Sequence, residues 1–186
     1  MKTLSVAAGL ALACAVPLAA HAEKLKVKLS GFQETPLTLS SPGSGEFEAQ
    51  IKGKGDDATI EWTLSYRGLV EVQQAHVHFG QRATSGGISF FLCTNLGNAP
   101  VTVPTPKPCP LEMGTVTGVT TAADVFGPAG QGIAAGELAE IIAAIRAGFA
   151  YANVHTKQFP GGEIRGQFRR HHGERDHHGD GDDHRH

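Results

Sequence analysis

The sequence lacks the signatures of most enzyme classes. It has no Gly-x-x-x-x-Gly-Lys-Ser/Thr phosphate loop and no Gly-x-Ser-x-Gly elbow, so nucleotide hydrolysis and serine-esterase chemistry have no local support. Aromatic residues make up only 6% of the chain. Charge is scarce and nearly balanced, with 16 Lys and Arg against 18 Asp and Glu, and no basic stripe marks a nucleic-acid surface. After the first 22 residues no apolar run is long enough to cross a bilayer. Cysteine is equally sparse. There are three, and Cys14 falls in a segment read as a leader.

That leader is read from Lys2, the apolar run Leu4 to Ala20, and the small-x-small pattern Ala20-His21-Ala22. Cleavage after Ala22 makes Glu23 the first mature residue. A lipid anchor on Cys14 would want a larger aliphatic residue where Ala11 stands. Of the 16 basic residues only Lys2 leaves, so 15 face 18 acids and the net charge is −3 with neutral histidine. An exported protein, periplasmic or secreted, is expected. Its two remaining cysteines, Cys93 and Cys109, then read as a disulfide, with a free-thiol pair or a thiolate metal site as the other readings. A bridge there would close a loop of about 15 residues, a constraint on the order of 3 kcal/mol.

The body, residues 23 to 169, is organised as short strands. Lys24 to Ser30 alternates strictly, with Leu25, Val27 and Leu29 facing a core and lysines facing water, as on a protected edge strand. Phe47, Ala49 and Ile51 mark a second strand, and Ile60, Trp62, Leu64 and Tyr66 a third. Gln74 to Gly80, Ile88 to Cys93, Gly114 to Thr120, Phe149 to Thr156 and Glu163 to Phe168 complete about eight. One helix is expected over Glu137 to Ala147, with apolar residues near helical spacing and Gly148 as its cap. Thr121 to Asp124 reads as a capping box on a shorter helical turn. The expected fold is all-β: an immunoglobulin-like or Greek-key antiparallel barrel or sandwich with one short crossover helix.

The chemistry concentrates in histidine. Only His76, His78 and His155 lie in the body. Residues two apart on a strand project from one face, so His76 and His78 stand side by side. Taken singly, each reads as a hydrogen-bonded structural histidine. As a set they read as three neutral imidazole donors, which suit copper, and which zinc would also accept. Arg165 is the first candidate cation to steer an anionic substrate, and Arg82 the second. Asn153 or Glu163 would orient an imidazole from behind. Arg165 and Glu163, near neighbours on one strand face, also read as an ion pair that simply bridges strands. Residues 170 to 186 hold no apolar side chain and read as a disordered tail, whose His171, His172, His177, His178, His184 and His186 form a loose auxiliary metal binder.

Four segments together carry a resemblance. Leu29-Ser30-Gly31-Phe32-Gln33-Glu34-Thr35-Pro36, Ala75-His76-Val77-His78-Phe79-Gly80, Tyr151-Ala152-Asn153-Val154-His155-Thr156 and Pro160-Gly161-Gly162-Glu163-Ile164-Arg165-Gly166-Gln167 resemble, in order and spacing, a CHRD domain. That module is repeated in chordin and found singly in exported bacterial proteins. The resemblance implies an immunoglobulin-like barrel and a role in extracellular binding. A shorter resemblance, of His76-Val77-His78-Phe79-Gly80, is to the copper-ligand strand of copper/zinc superoxide dismutase. It implies copper on His76 and His78, with His155 as a third ligand, although no counterpart of the zinc-binding loop is present. The function expected first is therefore a copper-only superoxide dismutase acting on a small anion, superoxide. A non-catalytic extracytoplasmic binding module, or a copper or zinc carrier working through the tail, stands as the alternative.

Overall fold

The computed structural model describes residues 23–169. The expected leader, the tail and the tail's six histidines lie outside the described residues.

Eight antiparallel strands form a nearly closed barrel: β1 (Glu23–Ser30), β2 (Ser44–Lys52), β3 (Thr59–Arg67), β4 (Val72–Phe79), β5 (Gly87–Thr94), β6 (Gly114–Thr120), β7 (Ala150–Thr156) and β8 (Ile164–Gln167). Their order around the wall is β5-β4-β7-β8-β1-β2-β3-β6. The one α-helix among the described residues, α1 (Leu138–Ala147), carries the chain across from β6 to β7. This is the all-β barrel with a crossover helix that the alternation predicts.

Period-two patterning builds the interior. Leu25, Val27 and Leu29 of β1, Phe47, Ala49 and Ile51 of β2, and Ile60, Trp62 and Leu64 of β3 are buried, while Lys24, Lys26 and Lys28 are exposed. Trp62 shows how closely the wall is packed. A Cβ on Gly118 would come within 2.3 Å of the indole. The indole N–H donates to Thr120 Oγ1 at 3.0 Å, so the ring is buried with its polar atom satisfied.

One expectation about β1 needs correction. Its lysines suggest an edge, but β1 lies between β2 and β8. The lysines record which face meets water, and side-chain period says nothing about what pairs with the backbone. The seam to β8 is nonetheless thin, with one paired rung, Ser30↔Arg165.

The helix closes the core. Leu138, Ile141, Ile142 and Ile145 are buried in it, and Gly148, at φ 79°, ends the helix with its N–H on the Ala144 and Ile145 carbonyls. Ahead of it, the Asp124 carboxylate accepts from the Thr121 N–H at 2.8 Å, as the capping-box reading requires. Cys93 and Cys109 are disulfide-bonded, with Cα atoms 5.1 Å apart. The Asn95 side chain braces the bridge, donating to the Val72 and Cys109 carbonyls and accepting from the Cys109 N–H.

The wall formed by β4, β7 and β8 has two buried faces. Ala75, Val77, Ala152, Val154 and Ile164 face the apolar core. The opposite face carries His76 and His78, Tyr151, Asn153 and His155, then Arg165 and Gln167, all buried as well. Loops cover this polar face. The segment after β1 brings Glu34 and Thr35, the β4–β5 connection brings Gln81, Thr84 and Gly86, and the β7–β8 turn brings Pro160.

Candidate metal centre

The three body histidines meet on that polar face. In the antiparallel register, Gln74 pairs with His155, His76 with Asn153 and His78 with Tyr151. His155 is therefore the diagonal neighbour of His76, within reach of a long side chain. Ring centroids of His76 and His155 are 5.0 Å apart, those of His76 and His78 5.4 Å, and those of His78 and His155 5.9 Å. One donor atom from each lies within 4.8 Å of the others. The expected convergence of a strand pair with a residue some eighty positions downstream is present in the fold.

Hydrogen bonds establish which nitrogens face the cluster. His78 Nδ1 lies 3.0 Å from the Gly86 carbonyl and His155 Nδ1 lies 3.0 Å from the Pro160 carbonyl. A carbonyl only accepts, so both Nδ1 atoms carry the proton and both Nε2 atoms keep a lone pair. His155 Nε2 stands 3.3 Å from His76 Nδ1. Two nitrogens bound to one tetrahedral ion at about 2.0–2.1 Å are themselves about 3.3 Å apart. The remaining nitrogens, His76 Nε2 and His78 Nε2, are buried with no hydrogen-bond partner among the described residues. Buried polar atoms are almost always paired, so His78 Nε2 marks a place built for a ligand, while His76 can turn only one of its two nitrogens to the same ion.

Protonation suits the same purpose. Burial, then the neighbouring His155 and His78, pushes His76 far below the usual histidine range. Burial brings His78 down to about 4 against the opposing Gly86 carbonyl, and lowers His155 against the Pro160 carbonyl. Neutral imidazoles with fixed Nδ1–H bonds to backbone are the form in which histidine ligates a metal. The residues fit a borderline transition-metal ion.

The supporting residues are distributed differently from expectation. Asn153 donates to Glu34 Oε1 at 2.6 Å and to the Ile164 carbonyl, and Glu163 accepts from Ser41 and from Thr156 Oγ1. Neither hydrogen-bonds an imidazole among the described residues; the Gly86 and Pro160 carbonyls orient His78 and His155 instead. Arg165 is 2% exposed. Its guanidinium donates to Thr35 Oγ1, the Thr84 and Gln81 carbonyls and Gln167 Oε1, and lies 3.4 Å from the centre of the Tyr151 ring. Tyr151 in turn stacks on His78, ring planes 2° apart. Arg165 thus ties two covering loops to the wall behind His78. Among the described residues it makes no ion pair with Glu163, whose carboxylate is taken up by Ser41 and Thr156.

Sequence reasoning passes over Tyr151, although its alternation with Asn153 and His155 puts all three on one face. It also gives Glu34 no place at the site. That carboxyl is buried beside Asn153, and desolvation raises it to about 7 despite the Asn153 hydrogen bond.

A barrel with a loop-covered polar wall holding three convergent histidines defines the class. A family model for the CHRD domain matches residues 25–168, and the chain belongs to that family. No curated protein and no solved structure matches it.

Proposed function

We propose that this chain is an extracytoplasmic CHRD binding module whose three-histidine centre holds a transition-metal ion, copper first and zinc as the ion the same ligands accept, without catalysing a reaction. The observation that carries the reading is the donor set: three buried imidazoles with two orphaned nitrogens and with Nδ1–H groups held by backbone. His78 and His155 would bind through Nε2. His76 supplies the third nitrogen. A leader over residues 1–22 would export the module, and the family match, ending at Phe168, leaves the histidine-rich tail outside the domain.

A superoxide dismutase using the same centre is the second reading. Three imidazoles favour it, because they suit copper in both oxidation states, and bound copper would supply one-electron chemistry. The chain's own contribution would be to keep water off the rings and to admit a small anion. Arg165 is a weak steering cation, since all its contacts are internal.

The deciding experiment compares the chain ending at Arg169 with its His155→Ala variant. We expect one copper or zinc ion per chain in the first and at least a tenfold weaker site in the second, read by competition with a chromophoric chelator. Equal affinities would remove the centre. Superoxide removal above that of free copper, lost in the variant, would move the dismutase reading into first place. Metal binding confined to the full-length chain would instead favour a carrier acting through its tail.

A further inference from the structure

A second site lies at the thin seam between β1 and β8. The two strands share one rung, and beyond it they part. The Gln33 side chain bridges the gap, donating to the Lys28 carbonyl at 3.0 Å and accepting from the Gln167 N–H at 3.2 Å. Outside this bridge is a recess of about 480 Å³, lined by Lys26, Lys28, Gln33, Arg82, Gln167 and Arg169 with a little of Val27.

The lining contains four cations and no carboxylate. Lys26 is already held by Glu46 and Glu48, at 2.7 and 2.6 Å. Lys28, Arg82 and Arg169 are exposed, and their side chains have no ion pair or hydrogen bond among the described residues. Arg82 also repels the buried Arg165 behind it. Three cations without an ion pair thus line one hollow, although Lys28 stands across the β1–β2 register from Glu46, which engages Lys26 at 2.7 Å. The floor adds no competing donor, because Gln167 Nε2 is taken up by the Gly80, Gly148 and Ala150 carbonyls. What remains are two guanidinium forks and an ammonium, a set matched to the oxygens of a tetrahedral oxyanion.

We propose that the β1–β8 recess is an anion site in which Lys28, Arg82 and Arg169 bind a phosphate group, either inorganic phosphate or the phosphate of a small monoester. The recess is larger than one phosphate and falls in the size range of small-molecule sites, which leaves room for an ester group against Val27. The site is separate from the three histidines and does not depend on what they hold.

The test titrates the full chain with inorganic phosphate, with glycerol phosphate and, as a screening control, with chloride at matched ionic strength. Backbone amide shifts are followed by NMR. Saturable shifts confined to Gln33, Arg82, Gln167 and their neighbours are expected with phosphate or its ester and not with chloride, and the tighter of the two identifies the source. Arg82→Gln/Arg169→Gln should weaken binding about tenfold or more. These side chains are exposed, so an unchanged spectrum away from the recess verifies that the variant is folded. Shifts that chloride reproduces, that never saturate, or that persist in the double variant would overturn the proposal.

Discussion

The two halves of the barrel wall spend their outer faces differently. On β1, β2 and β3 the outer face is a solvated lattice of charges, with Lys26 on Glu46 and Glu48, and Lys52 on Glu61. On β4, β7 and β8 the outer face is just as polar but sealed under loops. Water screens the first set and repairs any loss. Nothing repairs the second, so each polar atom there needs a partner in the protein or a ligand. Among the described residues of β4, β7 and β8, the buried side-chain atoms without a hydrogen-bond partner are His76 Nε2 and His78 Nε2, both on rings of the proposed centre.

This contrast can be broken at its strongest point by removing Arg165. Arg165→Ala deletes four hydrogen bonds and the contact with Tyr151, leaving the buried Gln167 Oε1 and three part-buried acceptors without their donor. A loss of about 3–5 kcal/mol in urea unfolding is expected. A change under about 1 kcal/mol would mean that the loops reseal around water.

Acid should act next. His78 titrates in the fold at about 4, below the unfolded value near 6.5. A depressed histidine contributes stability that is present above pH 6.5 and is lost as pH falls through about 4. The metal-free protein should lose roughly 3 kcal/mol from this residue alone across that window. His78→Phe should flatten the corresponding part of the pH–stability curve.

Glu34 has the opposite sign. Its folded value, about 7, lies above the unfolded one, so its contribution is present below pH 4.5 and is lost as pH rises through 7. Glu34→Gln keeps the acceptor for Asn153 and removes the buried charge. It should stabilise the protein at pH 8 by an amount on the order of 2 kcal/mol relative to the parent, with no gain at pH 4. No gain at pH 8 would place the carboxylate in contact with solvent.

The smallest effect belongs to the solvated half. Lys26→Ala should leave the unfolding midpoint almost unchanged, and added salt should erase what difference there is. A large, salt-resistant effect would mean that the two faces are less different than their exposure suggests.

Much of this was legible residue by residue. Alternation in Lys24–Ser30 and Ile60–Tyr66 declares the inner face, because a strand's period is intrinsic to its backbone. His76 and His78 share a face for the same reason. The strand neighbour of β1 was not legible, since lysine spacing reports exposure and pairing depends on what another part of the chain brings alongside. Asn153 and Glu163 looked like orienting groups by residue type. The actual acceptors are the Gly86 and Pro160 carbonyls, and every residue has a carbonyl, so no sequence signal points to them. Arg165 had the right charge for steering, but its surroundings consume that charge.

From its residues alone, this chain was bound to make short antiparallel strands with one apolar face, to pair two histidines on β4 and to need a third donor from elsewhere. Those properties follow from local geometry and composition. That His155 lands diagonally across from His76, that loops bury the polar side of the wall, and that Arg82 and Arg169 meet Lys28 at a parted seam were decided only by the nearly closed barrel. Register and loop closure join segments far apart in the chain, and the free energy of that joining resides in contacts no single segment contains.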